Sequence, residues 1–129
     1  MIARHLRDEE ISPSLVLCSP ARRARETLEA ADPSGEVRIE DELYGASQAE
    51  LLERLRRVPE ATESVMLIGH NPAIQELALG LASRGQRLED VERKFPTGAL
   101  ATLTVAGAWT ELGPDSAELA AFVKPKELR

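Results

Sequence analysis

The stretch SLVLCSPARRARET, residues 14–27, decides how the rest of the chain reads. Residues 14–18 form a short apolar run behind Pro13, the pattern of a buried strand. Ser19-Pro20 then opens a helix, with Ser as N-cap and Pro at the first turn. Ala24, Leu28 and Ala31 recur along it and give it an inward face. A second segment, VMLIGHNPAI at 65–74, has the same grammar. Its continuous apolar run fits a strand buried on both faces of a parallel sheet. Asn71-Pro72 starts the next helix, striped by Ile74, Leu77, Ala78 and Leu81.

Outward from these two units, residues 2–10 read as the end of a helix, with Ile2, Ala3 and Leu6 on one face. EVRIE at 36–40 alternates as a strand does. Ser47-Gln48-Ala49-Glu50 is a capping box, and Leu51, Leu52, Leu55 and Val58 come after it at helical spacing until Pro59. ALATLTV at 99–105, a turn at Ala106-Gly107 and AWTEL at 108–112 predict a terminal β-hairpin. SAELAAFVKPKELR at the C-terminus reads as a short helix or an irregular tail. The fold class is α/β: a three-layer sandwich on a mostly parallel sheet with a C-terminal β-hairpin. Residues 1–129 are expected to form one partial domain.

Composition narrows the function. Apolar residues make up 43% of the 129, enough for a core, although only Tyr44, Phe95, Trp109 and Phe122 are aromatic. The net charge of −6 argues against a general nucleic-acid or anionic-membrane surface. No apolar run reaches 18 residues, and MIARHLRDEE lacks the apolar core of a signal peptide. The single cysteine, Cys18, excludes an intrachain disulfide, and a cytoplasmic location is expected. Arg22, Arg23 and Arg25 nevertheless cluster at a helix start, where partial positive charge already resides. A local cationic site on an acidic chain suits a small anion better than a polymer.

In open α/β sheets the strand tips at the C-terminal ends line the binding crevice. Ser19, Arg22, Arg23, His70 and Asn71 are therefore expected at one cleft, with two helix N-termini offering amides to an anion. An arginine fork matches phosphate oxygens two at a time. A histidine beside it can donate a hydrogen bond to a phosphoryl oxygen or carry a proton. The plainer alternatives are ordinary Ser-Pro capping, Arg22–Glu26 and Arg25–Glu29 pairs on a solvated face, and a backbone-satisfied His70. A cysteine-dependent phosphatase loop needs Arg six positions after Cys18, and Ala24 stands there. His5, His70 and Cys18 do not cluster, so no metal is expected, and a P-loop motif is not found.

In LVLCSPARRARET, EDELYGAS, VMLIGHNPAI, KFPTGALATLTV and FVKPKEL the chain resembles the histidine phosphatase superfamily, specifically its SixA-type phosphohistidine phosphatases. The resemblance covers nearly the whole chain and implies phosphoryl transfer to a histidine, then hydrolysis, with no cofactor. It implies that Arg23 and His70 bind the phosphoryl group, with Thr97 on the FPTG loop a weaker contact. Many members place an acidic residue where this chain has Gly45. SixA-type members lack it too, which favours a phosphohistidine-type substrate. The family's nucleophile lies in an Arg-His-Gly or Arg-His-Ala motif after a first strand, and no such segment precedes the first helix. Arg4-His5 reads as helix surface. The chain is thus expected to be a truncated member, marginal in stability or filling the strand's place with another copy or a partner. The expected partner is a phosphate-bearing substrate, a phosphohistidine protein among the candidates, rather than nucleic acid or membrane. The alternatives to an enzyme are a non-catalytic phosphate- or phosphoprotein-binding module and an inactive fragment.

Overall fold

The computed structural model describes residues 2–128. Its elements run α1 (Ile2–Asp8), β1 (Leu15–Cys18), α2 (Arg22–Ala31), β2 (Glu36–Ile39), α3 (Gln48–Arg56), β3 (Val65–Ile68), α4 (Ala73–Leu81), β4 (Ala82–Arg84), α5 (Leu88–Arg93), β5 (Leu100–Val105) and β6 (Ala117–Val123). Single 3-10 turns sit at Asp41–Leu43, Trp109–Glu111 and Pro125–Leu128.

The apolar run at 15–18 becomes the middle strand of a parallel sheet of order β2-β1-β3. All four of its residues are buried, as a strand covered on both faces requires. Alternation then builds the layers. Val16 and Cys18 face α2, where they pack with Ala24, Ile68, Leu28 and Met66. Leu15 and Leu17 face the other way, into a core with Leu51 and Leu55 of α3 and Leu77 and Leu81 of α4. Helices therefore cover both sides of the sheet, the expected sandwich, and α1 packs outside against α2. The margins are less covered: Val65, Met66 and Leu67 of β3 are half-buried, while Val37 and Ile39 of β2 are exposed.

A second sheet has the order β4-β6-β5, with β4 parallel and β5 antiparallel to β6. α4 joins the two halves because Leu81 passes straight into Ala82 of β4. Ala78, Ala82, Val91, Leu119 and Phe122 make the local core. The C-terminal hairpin exists, but its second strand is β6, not 108–112. Residues 109–111 form a 3-10 turn, in which the Glu111 carboxylate accepts from the Ala108 amide at 3.1 Å. Trp109 is half-buried there and its indole N–H donates to the Thr62 carbonyl at 2.9 Å. The tail expected to be helical or irregular is thus mostly strand, because Leu100–Val105 offers Ala117–Val123 an antiparallel partner, with one register shift between Thr102 and Leu103.

Candidate functional site

Parallel register between β1 and β3 aligns Cys18 with Ile68, so the polar tips beyond them emerge side by side. The Ser19 amide donates to the Ile68 carbonyl at 3.0 Å and continues the pairing one step past the strands. Ser19 itself is fully buried. Its hydroxyl accepts the Ala21 amide at 3.2 Å and lies 3.4 Å from His70 Nε2. The helix cap is therefore displaced from expectation: α2 starts at Arg22 with Ala21 as N-cap, and Ser19 closes the turn before it. The cap residue itself makes no side-chain hydrogen bond. Arg25 N–H reaches the Ala21 carbonyl, whereas the amides of Arg22, Arg23 and Ala24 meet no acceptor among the described residues.

His70 has a second neighbour that the sequence did not flag. The Gly45 amide donates to Nε2 at 3.3 Å. The Ser19 hydroxyl, 3.4 Å from the same nitrogen, fits either tautomer, whereas the Gly45 amide can only donate and so assigns a lone pair to Nε2 and the proton of a neutral ring to Nδ1. Gly45 adopts φ +64, a left-handed conformation suited to glycine. The preceding Tyr44 is 68% exposed and stands edge-on to the imidazole, 6.3 Å between ring centres.

The arginines separate by environment. Arg22 pairs with Glu26 at 3.5 Å on an exposed face, the ordinary i,i+4 arrangement. Arg23 and Arg25 are exposed and make no ion pair or side-chain hydrogen bond among the described residues. Asn71 uses its side-chain amide to hold the Phe95 carbonyl, which tethers the loop carrying exposed Thr97 to the β3 tip. Cys18 is buried, and that burial pushes its thiol up from the ordinary range, with Arg25 opposing weakly. His5 sits on α1, beside an Arg4–Asp8 pair at 3.7 Å. Two cavities of about 820 and 380 Å³ lie elsewhere, lined respectively by Arg84–Arg87 with β6 and by Arg54 with Glu36, Arg38, Glu40 and Glu42. Ser19, Arg23 and His70 line neither cavity.

The α/β fold is that of the SixA histidine phosphatases. A solved structure assigned as phosphohistidine phosphatase SixA from Nakamurella multipartitia superimposes with a TM-score of 0.85 and 32% identity, over 95% of this chain and 77% of that one. The chain belongs to the SixA phosphohistidine phosphatase family. A structure assigned as phosphohistidine phosphatase SixA from Agrobacterium tumefaciens matches at 28% identity and a TM-score of 0.77, covering 96% of this chain and 76% of that one. By sequence, an uncharacterised Mycobacterium leprae protein is 37% identical over 114 residues, 86% of this chain and 71% of that protein. A Mycobacterium tuberculosis counterpart is 36% identical over 115 residues, 86% of this chain and 73% of that protein. No family model matches the sequence.

Proposed function

We propose that this chain binds the phosphoryl group of a phosphohistidine-type substrate at the β1 and β3 tips, as a SixA-like phosphatase site that turns over only where a histidine nucleophile, which residues 1–129 do not supply in an Arg-His-Gly or Arg-His-Ala motif, takes the phosphoryl group before water releases it. The reading rests on one juxtaposition. Ser19 and His70 touch where two strands end, and the first turn of the adjoining helix carries three amides and two arginines, Arg23 and Arg25, that have no partner among the described residues. Arg23 supplies a two-pronged cation for phosphoryl oxygens. His70 supplies an Nδ1–H donor, and the α2 amides add partial positive charge. Together they stabilise the charge that spreads over the equatorial oxygens as the phosphoryl group moves. Ser19 orients His70 from below, Asn71 fixes the loop bearing Thr97, and Arg22, tied to Glu26, acts as a weaker outer cation.

A second reading, binding without turnover, is favoured by the place of the other histidine: His5 lies on a helix whose neighbours are α2 and the C-terminal 3-10 turn. Vanadate titration followed by NMR, together with a phosphohistidine hydrolysis assay, separates the readings. Binding with turnover supports the enzyme, and binding alone supports the module. In either case Arg23→Ala weakens vanadate affinity by about tenfold or more, the loss expected for a charge-assisted hydrogen bond. Arg22→Ala changes it by less than about threefold, as its pair is exposed. Equal losses in the two variants, or no vanadate binding by the wild type, overturn the assignment.

A further inference from the structure

We propose that Arg54 is a positioning residue for the site, acting through the segment 40–46 to hold the Gly45 amide on His70 and so to fix which ring nitrogen carries the proton. The proposal takes its functional meaning from the phosphoryl-binding role given to His70. Its geometry stands apart from that role.

Arg54 lies on α3 and, with Ser19, is one of two polar or charged residues buried among those described, at 8% exposure. Its Nε and Nη2 donate to the two carboxylate oxygens of Glu40 at 2.6 and 3.0 Å, and Glu42 stands 3.6 Å away. Arg57, one turn on, binds Glu42 as well. Glu40 is also where the chain leaves β2, since its amide donates to the Cys18 carbonyl at 3.0 Å. The guanidinium fork therefore grips the first residue of the segment that ends beside His70.

The backbone from Glu40 to Ala46 is closed by its own hydrogen bonds. Leu43 N–H returns to the Glu40 carbonyl, Tyr44 N–H to that of Asp41, and Ala46 N–H to that of Leu43. Leu43 is 1% exposed and seats the turn in the core with Ala46 and Leu51. Ser47 then begins α3 through a capping box with Glu50. The segment is thus clamped at its start by α3 side chains and at its end by the α3 cap. Gly45 lies between these clamps, and its amide is spent on Nε2 of His70.

A merely structural Arg54 would leave the imidazole tautomer untouched. The tautomer and the Gly45 amide are read directly by long-range ¹H–¹⁵N NMR of His70 and by hydrogen exchange, at a pH where the ring is neutral. Expected for the wild type is a ring protonated on Nδ1. Arg54→Lys keeps the charge but loses the fork. It should speed Gly45 exchange by about tenfold, the equivalent of one net hydrogen bond, while Leu17 exchange stays unchanged. Part of the His70 population should then move to the Nε2–H form. Glu40→Gln, which retains shape, should give the same direction with a smaller amplitude. A wild-type ring protonated on Nε2 overturns the proposal without any variant, and so does a folded Arg54→Lys with unchanged tautomer and unchanged Gly45 exchange. Inorganic phosphate titrated into the same samples keeps the two ideas apart. A tautomer shift without phosphate binding removes the proposed function and leaves the positioning role standing. Phosphate binding with an unmoved tautomer does the reverse.

Discussion

Exchanging Arg54 for Met removes the cation from a nearly buried ion pair while keeping most of the side-chain volume. The Arg54 side chain is 9% exposed and that of Glu40 22%. Removing one partner of a buried pair costs about 3–5 kcal/mol, and residual hydration of Glu40 places this case near 3 kcal/mol. For a chain of this size that lowers Tm by roughly 10 °C. The double variant Arg54→Met/Glu40→Met leaves no orphaned charge and should fall within about 1 kcal/mol of wild type. Acid gives an independent arm. The hydrogen-bonded Arg54 guanidinium holds the Glu40 carboxyl below its ordinary value, with partial burial opposing. The unfolded chain therefore takes up that proton first as pH falls. The pair's contribution is present in full above the ordinary glutamate range and disappears as pH drops through it to the lower folded value. Urea unfolding of the three proteins, at neutral pH and at about pH 3, measures both effects. At the lower pH the wild type's lead over the single variant shrinks, because protonation of Glu40 removes both the pair and the orphaned charge. A single variant within about 1 kcal/mol of wild type, or a double variant as unstable as the single, refutes the reasoning.

The core and the backbone supply three more tests. Leu17→Ala empties a fully buried site in the middle strand and should cost about 3–4 kcal/mol by urea titration. Gly35→Ala should cost on the order of 3 kcal/mol or more, seen as a collapse of thermal stability. Its backbone is at φ +99, and the new Cβ would lie 2.2 Å from the Pro13 carbonyl oxygen. Cys18, buried and with its thiol pushed up, should ignore a disulfide thiol reagent in the native protein and react fully in denaturant.

The two βα units were legible because their signals are local and redundant: an apolar run, a polar tip, a proline and a stripe. Ser19 and His70 could be paired from sequence because parallel strands of equal length end together. The helix boundary was not legible to the residue, since Ser-Pro serves equally as a cap or as the turn before one. SAELAAFV carries the helix formers Ala, Glu and Leu and becomes strand β6 because β5 and β4 lie on either side of it. Strand β4 is three residues long and leaves almost no periodic trace. Gly45 went unseen as a neighbour of His70 because the contact is made by its backbone amide, which no residue code displays. The acidic run at 40–42 facing Arg54 and Arg57 was the available hint to the clamp behind it.

The chain has a single tyrosine and a single tryptophan, and the fold sends them to opposite poles. Tyr44 stands by the imidazole at the strands' C-terminal end, while Trp109 bonds to Thr62, ahead of the start of β3. Each chromophore is thus assigned without labelling. Aromatic proton shifts of the phenol report occupancy at the tips, and indole emission reports the integrity of the far end. A ligand that moves the first and spares the second has bound locally, whereas one that moves both has reorganised the whole scaffold.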